Sequence, residues 1–238
     1  MANIALNARF YSHVPTGMQR YGIEMANRLG GMLDIVKPDR PLKGTEGHMW
    51  EQIYLPSRSM GRLLWSPNNT GPLVVKNQVC TMHDIIPIDR PEWFNSRFSA
   101  WYNFLLPRLV HRASHLIAVS EFTKQRLMDR FKLPERKISV VWNGVDSQFH
   151  PSTDREIAAM RKDVGIQDPR YLVYVGSVEP RKNLAGLLDA WRQIVKQIPE
   201  DITLVVAGGK GASLVFADSD LGQTPERVQF TGYVKQEQ

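Results

Sequence analysis

The sequence predicts an α/β protein with two doubly wound domains, the second of them truncated. Short apolar runs rich in β-branched residues alternate with longer segments of helical period, which is the order of right-handed βαβ units. The run 172–175 is apolar without interruption, as in a strand whose sheet is covered on both faces. Apolar residues make up 42% and charged residues 23% of the 238 residues, which is the balance of a folded globular chain.

The periodicity of the apolar residues places each element in order along the chain. The predicted strands are 4–7, 35–37, 63–65, 79–82, 115–119, 138–142, 171–175, 202–207 and 228–230. The predicted helices are 18–29, 95–113, 121–131, 155–164 and 185–198. In the last of these the apolar residues fall on one stripe, and Asn183 is expected to cap its N-terminus.

A break near residues 165–169 divides these elements into two groups. We expect an N-terminal domain over residues 1–167 and a partial C-terminal domain over residues 168–238. The second group would leave an apolar strand at an open sheet edge, which folded sheets avoid. We therefore expect the sequence to be part of a longer protein.

Composition excludes several classes of protein. A single cysteine, Cys80, allows neither an internal disulfide nor a Cys-based zinc site. No apolar run approaches the roughly 20 residues that cross a bilayer, and the N-terminus lacks a signal-peptide pattern, so we expect a cytoplasmic protein. The formal charge is +6, but the basic residues are scattered, so no nucleic-acid partner is expected.

Ligands of open α/β sheets bind outside the carboxyl ends of the strands. The first strand leads to Arg9 and to Gly17, where backbone N–H groups could approach an anion at a helix start. The strand 79–82 leads to His83 and Asp84, an imidazole and a carboxylate suited to polarising a sugar hydroxyl. Two structural alternatives stay open, an ordinary turn glycine at position 17 and a histidine held in a turn capped by Asp84.

Two further strand ends have good structural explanations. Ser120 follows the strand 115–119, and we favour a role as the N-cap of the next helix. Asn143-Gly144 follows the strand 138–142, and we favour a tight turn there.

The clearest candidate site follows the strand 171–175. That strand ends at Gly176, and Arg181 and Lys182 come just before the next helix. A guanidinium fork and an ammonium group both complement a diphosphate. Arg-Lys pairs are also common on protein surfaces, which is the structural alternative. Cations at a helix N-terminus nevertheless oppose the helix dipole, so their presence calls for an anion. Gly208, at the end of the following strand, again allows a ligand to approach the backbone closely.

Taken in order, these motifs resemble the GT-B glycosyltransferases of family 4, also called glycosyl transferases group 1. The matching segments are ALNAR at 5–9, TGMQRY at 16–21, HD at 83–84, VSEFT at 119–123, NGVD at 143–146, GSVEPRKN at 176–183, AGG at 207–209 and FTGYV at 230–234. The resemblance implies two facing Rossmann-like domains. The first would hold mainly the acceptor and the second the nucleotide-sugar donor.

The resemblance also implies roles for individual residues. Arg181 and Lys182 would bind the donor diphosphate, Gly17 would lie in a glycine loop facing the reaction centre, and His83 would lie near the transferred sugar. The full set is His83 as the catalytic candidate, Gly17, Gly176, Arg181, Lys182 and Gly208 on the donor side, and Arg9, Asp84 and Ser120 on the acceptor side. No residue is assigned to a metal.

Two departures from the family pattern bear on the donor site. Ser177 stands where many members carry an arginine after the glycine. The paired glutamates of a Glu-x7-Glu segment, which follows the Gly-Tyr-Val strand in the family, are not in the sequence. Those carboxylates ordinarily hold the donor sugar and ribose, so we expect the sequence as given to bind donor weakly and to catalyse little.

The activity implied by the resemblance is that of a retaining hexosyltransferase. Segments 16–21 and 179–183 look most like O-antigen mannosyltransferases, which makes GDP-mannose the first donor expected. The acceptor would be a glycan or lipid-linked glycan, and no metal or other cofactor would be needed. Two alternatives stay open, a related GT-B sugar-nucleotide epimerase and a non-catalytic GT-B remnant or regulatory module.

A peripheral membrane contact stays open as well. Residues 93–108 are aromatic and basic, as in a helix that lies at a membrane interface. Packing of the same aromatic residues into the core is the interpretation we prefer.

Overall fold

The computed structural model describes residues 4–13, 15–168, 170–209, 215–216 and 221–234. Contacts within the chain divide it into two compact units. The first unit contains the residues up to Asp89 together with Ser99–Gly144, and the second contains Arg90–Phe98 together with the residues from Val145 onward. This division differs from the boundary at 167/168 that the sequence predicts.

The first unit is built on a parallel sheet of six strands in the order β2-β1-β3-β4-β5-β6. Its strands are β1 (Ile4–Asn7), β2 (Leu33–Val36), β3 (Leu63–Ser66), β4 (Gln78–Met82), β5 (His115–Ala118) and β6 (Ile138–Val140). Every strand predicted in this part of the chain is present, with ends that shift by two residues at most. The parallel α/β class is therefore confirmed for this unit.

Helices connect these strands. They are α1 (Gly17–Leu29), α2 (Gly44–Met49), α3 (Leu55–Arg58), α4 (Ile86–Asp89), α5 (Ser96–Arg112) and α6 (Glu121–Phe131), with short 3-10 turns at Arg9–Ser12, Gly30–Met32, Pro91–Trp93 and Glu135–Lys137. A π-helical turn, Trp50–Tyr54, joins α2 to α3, so residues 44–58 form one continuous helical segment. The sequence did not predict this segment. Its two glycines and one proline have low helix propensity, and its large apolar residues do not form an inward stripe.

Apolar side chains cover both faces of the first sheet. Leu6, Phe10 and Ala26 pack together on one face, and Leu55 packs with Leu64 on the other. The helix α5 is also largely inward-facing, since Tyr102, Leu105, Leu106 and Leu109 are buried and Phe104 is 46% exposed. This burial favours core packing over an interfacial helix for α5. No helix among the described residues combines the length and apolarity that crossing a membrane requires.

The second unit contains a parallel sheet of three strands in the order β7-β8-β9. Its elements are α7 (Asp154–Asp163), β7 (Arg170–Val175), a 3-10 turn at Pro180–Lys182, α8 (Leu184–Ile194), β8 (Ile202–Ala207) and β9 (Val228–Gly232). The core lies between the sheet and α8, where Leu188 and Trp191 pack against Leu204 and Val206.

The strand β7 differs from its prediction. Its apolar run was expected to be covered on both faces, but Leu172, Val173 and Val175 are 54%, 57% and 76% exposed. The expectation is wrong for the described residues because β7 is an edge strand, which pairs only with β8 in this sheet. An uninterrupted apolar run shows that both faces can be covered, and it carries no information about strand order.

The helix α7 belongs with the second sheet. The Gln229 side-chain amide, on β9, donates to the carbonyls of Val164 and Gly165 at 3.1 and 3.2 Å. The Arg161 guanidinium lies over the ring of Tyr171, 5.9 Å from its centre. Because of these contacts α7 belongs to the second unit, so the boundary between the units lies before α7, at Gly144/Val145. The break in the sequence pattern lies after α7, near residues 165–169.

Candidate functional site

A buried carboxylate, Glu51, lies at the centre of a polar network at the carboxyl end of β1. Its Oε1 accepts from Asn7 Nδ2 at 2.7 Å and from Thr70 Oγ1 at 2.9 Å. Arg9 Nε lies 3.4 Å from the same oxygen, and Arg9 Nη2 donates to Thr70 Oγ1 at 3.1 Å. The ion pair and hydrogen bonds offset the cost of burying the carboxylate, and they fix the Arg9 guanidinium at this edge of the sheet.

His48 lies three residues before Glu51 on the same helical segment. The Trp101 indole N–H, which can only donate, gives a hydrogen bond of 3.0 Å to His48 Nδ1. Burial, with the charges of Arg9 and His13, lowers the pKa of His48 to about 3. The imidazole is therefore neutral at pH 7 and carries its proton on Nε2, so Arg9 supplies the positive charge beside Glu51.

Sequence reasoning missed Glu51 and His48 because it missed the helix that carries them. Gly47, His48, Glu51 and Leu55 recur at helical spacing, and all of them face inward. That spacing is the signal that could have found the network.

His83 lies where the sequence places it, directly after β4. Its Nε2 is 2.9 Å from the carbonyl oxygen of Pro67, and its backbone N–H donates to Asn69 Oδ1 at 2.7 Å. A carbonyl oxygen only accepts, so Nε2 carries the ring proton and Nδ1 is the acceptor. Burial lowers the pKa of His83, although the Pro67 carbonyl and Asp84 oppose this effect. The ring is neutral at pH 7 and can accept a hydrogen bond from a hydroxyl group.

The loops beside His83 hold two of the acceptor-side candidates. Ser120 Oγ accepts from the backbone N–H of Thr123 at 3.1 Å, which confirms the N-cap that we favoured. Thr123 Oγ1 in turn donates to the His83 carbonyl at 3.1 Å. Asp84 Oδ1 accepts from the backbone N–H of Ile86 at 3.2 Å, so this carboxylate orders the turn after β4. Contact of Ser120 and Asp84 with an acceptor stays a prediction.

Gly17 is the first residue of α1. A Cβ atom added there would meet no atom within 4 Å in the described part of the chain. Gly22, one turn further along, differs because a Cβ there would lie 2.7 Å from the ring of Phe10. Packing therefore explains the glycine at 22 and leaves the glycine at 17 unexplained by the fold.

The two cations after β7 have different surroundings. Arg181 Nη2 lies 2.6 Å from Glu179 Oε1, and the Arg181 guanidinium lies over the ring of Phe216, 5.6 Å from its centre. The Glu179 side chain is fully buried, and burial raises the pKa of this carboxyl against the opposing effects of Arg181 and Lys182. Lys182 is exposed, and the described residues offer it no ion pair. The argument that both cations require an outside anion therefore holds only for Lys182.

The ends of β7 and β8 touch through two glycines. A Cβ at Gly208 would lie 1.9 Å from the carbonyl oxygen of Gly176, and the φ of Gly208 is +149°. The Gly208 N–H donates to the Gly232 carbonyl at 2.8 Å, and the Gly176 N–H donates to the Ala207 carbonyl at 2.9 Å. Glycine at 208 is thus required by the fold itself. Contact of Gly176 and Gly208 with a donor stays a prediction.

The variant Gly208→Ala is expected to lower the free energy of unfolding by about 3 kcal/mol or more, because it combines a backbone clash with a strained φ. Chemical denaturation followed by circular dichroism measures the change. Gly209→Ala is the matched control, since its Cβ would lie an ordinary 3.9 Å from Tyr233. Equal stability of the two variants would contradict the packing role of Gly208.

Models of known protein families match two segments of this chain. The family model described as Glycosyltransferase Family 4 matches residues 70–149, and the model described as Glycosyl transferases group 1 matches residues 156–238. Together they account for about two thirds of the chain. The chain belongs to the GT-B glycosyltransferases of family 4, as its motifs predict.

Individual relatives agree with the family. O-antigen chain mannosyltransferase B of Escherichia coli is 25% identical over 177 residues, which cover 72% of this chain and 45% of the relative. O-antigen chain mannosyltransferase RfbU of Salmonella typhimurium is 30% identical over 128 residues, which cover 53% of this chain and 32% of the relative. The chain thus spans less than half the length of these curated relatives.

A solved structure confirms the fold class. The crystal structure of Anabaena HepE in complex with UDP-glucose matches with a TM-score of 0.68 at 17% identity. The match covers 98% of this chain and 69% of that one.

Proposed function

We propose that the protein is a retaining hexosyltransferase that moves a sugar from a nucleoside diphosphate donor to a hydroxyl of a glycan or lipid-linked acceptor. The observation that carries the proposal is the cation pair Arg181 and Lys182, which follows β7 and precedes α8. Family membership supports transfer of a glycosyl group. Two relatives named O-antigen chain mannosyltransferases support mannose as the sugar and O-antigen or polysaccharide synthesis as the setting. The donor that we propose is GDP-mannose.

The cation pair would act on the leaving group. As the bond between the sugar and the diphosphate breaks, negative charge grows on the diphosphate oxygens, and cations held nearby stabilise that charge. Arg181 is held in advance by Glu179, so little reorganisation is needed when the donor binds. Lys182 is exposed and can move to meet a phosphate. The first turn of α8 adds a smaller attraction for an anion.

The first unit carries the residues proposed to meet the transferred sugar and the acceptor. The neutral His83 ring offers Nδ1 to a sugar hydroxyl, while its Nε2 is held by the Pro67 carbonyl. Arg9, fixed by Glu51, offers a guanidinium to acceptor oxygens at the carboxyl end of β1. Gly17 leaves room for a ligand to approach the start of α1.

We further propose that transfer needs no metal and takes place in the cytoplasm. No charge on a metal is required if the two cations stabilise the diphosphate. Transfer rates that stay unchanged in excess EDTA would support this part of the proposal, and rates that vanish would refute it.

The proposal is tested with the complete protein and a panel of GDP-mannose, UDP-glucose and ADP-glucose. We expect GDP-mannose to give the largest rise in Tm, because bound ligand stabilises the folded state. UDP-glucose is the chief competitor, since it is the ligand named for the HepE structure. Product analysis with and without a glycan acceptor then separates transfer from epimerisation. Absence of both a thermal shift and a product would favour a non-catalytic remnant.

A further inference from the structure

Three aromatic rings in the second unit lead to the cation Arg181. The Arg181 guanidinium lies over the ring of Phe216, 5.6 Å from its centre, and the centre of the Phe94 ring lies 5.3 Å from that of Phe216. The ring of Phe98 stacks on Phe94 with its centre 5.5 Å away. We call Phe98, Phe94 and Phe216 the aromatic row. All three belong to the same compact unit as Arg181.

The backbone holds Phe94 beside Phe216. The short turn Pro91–Trp93 ends at Phe94, whose backbone is extended, with φ −123° and ψ 158°. Phe94 and Phe216 form an antiparallel β-bridge, and the Asn95 N–H donates to the Val215 carbonyl at 2.9 Å. Phe94 is only 8% exposed, so its burial stabilises the contact as well. The position of the Phe216 ring is therefore fixed by a segment that comes much earlier in the chain.

Two chemically different partners hold the Arg181 guanidinium. Glu179 Oε1, 2.6 Å from Nη2, supplies a negative charge, and Phe216 supplies the electron-rich face of its ring. The ring attracts the cation without carrying a charge, whereas a second carboxylate would take further N–H donors and repel a phosphate. An aromatic partner therefore restrains the guanidinium and leaves donors available to an anion.

We propose that Phe216, held in place by Phe94, is a positioning residue that orients Arg181 for the diphosphate of the donor. The inference rests on the proposed function, because it takes Arg181 to bind that diphosphate. An arginine that is free to rotate loses side-chain entropy when it binds a phosphate, and restraint before binding lowers this cost. The start of the aromatic and basic stretch 93–108 thereby gains a role beyond core packing.

The test is the affinity of the complete protein for GDP, UDP and ADP, which share a diphosphate, measured by calorimetry. With the nucleotide that binds most tightly, Phe216→Leu should weaken binding about fivefold, as expected for loss of a contact between a cation and a ring. Phe216→Tyr keeps the ring and should bind as the wild type does. Phe94→Leu should weaken binding in the same direction, because it loosens the hold on Phe216.

A second background separates positioning from a general effect on the fold. The double variant Arg181→Ala with Glu179→Gln lacks the cation and leaves no charge buried, while Lys182 still provides a cation for the diphosphate. Adding Phe216→Leu to it should cause no further loss of affinity, because the ring acts through the guanidinium. A further loss there would overturn the proposal, since the ring would then support the fold or contact the nucleotide itself.

Two other results would also overturn the positioning role. One is equal affinity of Phe216→Leu and the wild type. The other is binding by Phe216→Tyr that is as weak as that of Phe216→Leu, because the ring would then not be what matters. Thermal unfolding without nucleotide verifies that each variant is folded.

Phe104→Leu is the matched control. The Arg108 guanidinium lies over the Phe104 ring, 4.0 Å from its centre, so this variant removes a contact of the same kind from the first unit. Its affinity for the nucleotide should equal that of the wild type. Equal losses in Phe104→Leu and Phe216→Leu would contradict a specific role of the Phe216 ring.

Nucleotide affinity is measured without acceptor, so its outcome is independent of the transfer reaction. The expected losses of affinity without any transfer product would refute the proposed function and leave the positioning role standing. Transfer by the wild type with no loss of affinity in Phe216→Leu would do the reverse. A complete protein that binds none of the three nucleoside diphosphates would overturn both.

Discussion

Lys182→Ala and Arg181→Ala in the complete protein are each expected to lower kcat/KM at least about tenfold, which is a loss of about 1.4 kcal/mol of transition-state stabilisation. Both side chains are proposed to stabilise charge on the departing diphosphate. Lys182→Ala should leave stability unchanged, because Lys182 is exposed. Steady-state kinetics with GDP-mannose measures the rates, and wild-type rates in both variants would contradict the assignment.

Arg181→Ala should also lower stability, since it leaves the carboxylate of Glu179 buried without its ion-pair partner. The double variant Arg181→Ala with Glu179→Gln separates the two effects. Removing the buried charge should restore the Tm and leave kcat/KM low. Lys196→Ala is the control for loss of an exposed lysine in the same unit, and it should match the wild type in both measurements.

The ends of a helix or strand are predicted best where the local sequence pattern matches the observed caps and buried residues. The helix Glu121–Phe131 has the predicted ends because Ser120 caps it and Leu127 and Phe131 lie on its buried side. The strand Ile202–Ala207 also has the predicted ends, and its central residues are buried. The start of the helix is set by a neighbouring residue, and the ends of the strand match because its apolar run coincides with the residues that pair with β7 and β9.

Predictions fail where the deciding interaction comes from a distant residue. The exposure of β7 depends on strand order, which its own apolar run does not encode. The close contact of Gly208 with Gly176 joins two strand ends separated by a helix. Glu179 lies only two residues from Arg181, yet its burial depends on the fold around it.

In the candidate site too, some residues could be predicted from the local sequence and others depend on distant parts of the chain. Strand ends led to His83 and Arg9, because the carboxyl ends of parallel strands meet at one edge of a sheet. Glu51 comes from a helical segment whose glycines and proline conceal its period. The burial of Glu51 could not be predicted from its own segment, because it depends on hydrogen bonds from Asn7 and Thr70, which the fold brings to it.

Glu51→Ala is expected to lower the free energy of unfolding by about 3–5 kcal/mol, the cost of leaving one member of a buried ion pair alone. Arg9 would lose its counter-charge, and Asn7 and Thr70 would lose their common acceptor. Glu51→Gln keeps the size of the side chain and one acceptor oxygen, so its cost should be smaller, at about 1–3 kcal/mol. Urea unfolding measures both changes.

Glu46→Ala is the matched control on the same helical segment. Its carboxylate is 60% exposed and pairs with Arg40 at the surface, where such pairs contribute less than about 1 kcal/mol. If Glu51→Ala lowers the free energy of unfolding no more than Glu46→Ala does, the network does not hold Arg9 in place. A much larger loss of unfolding free energy in Glu51→Ala would show that the buried carboxylate fixes the Arg9 guanidinium. Both variants remove a carboxylate from the same helical segment, and they differ in whether that carboxylate contacts Arg9 in the interior or Arg40 at the surface.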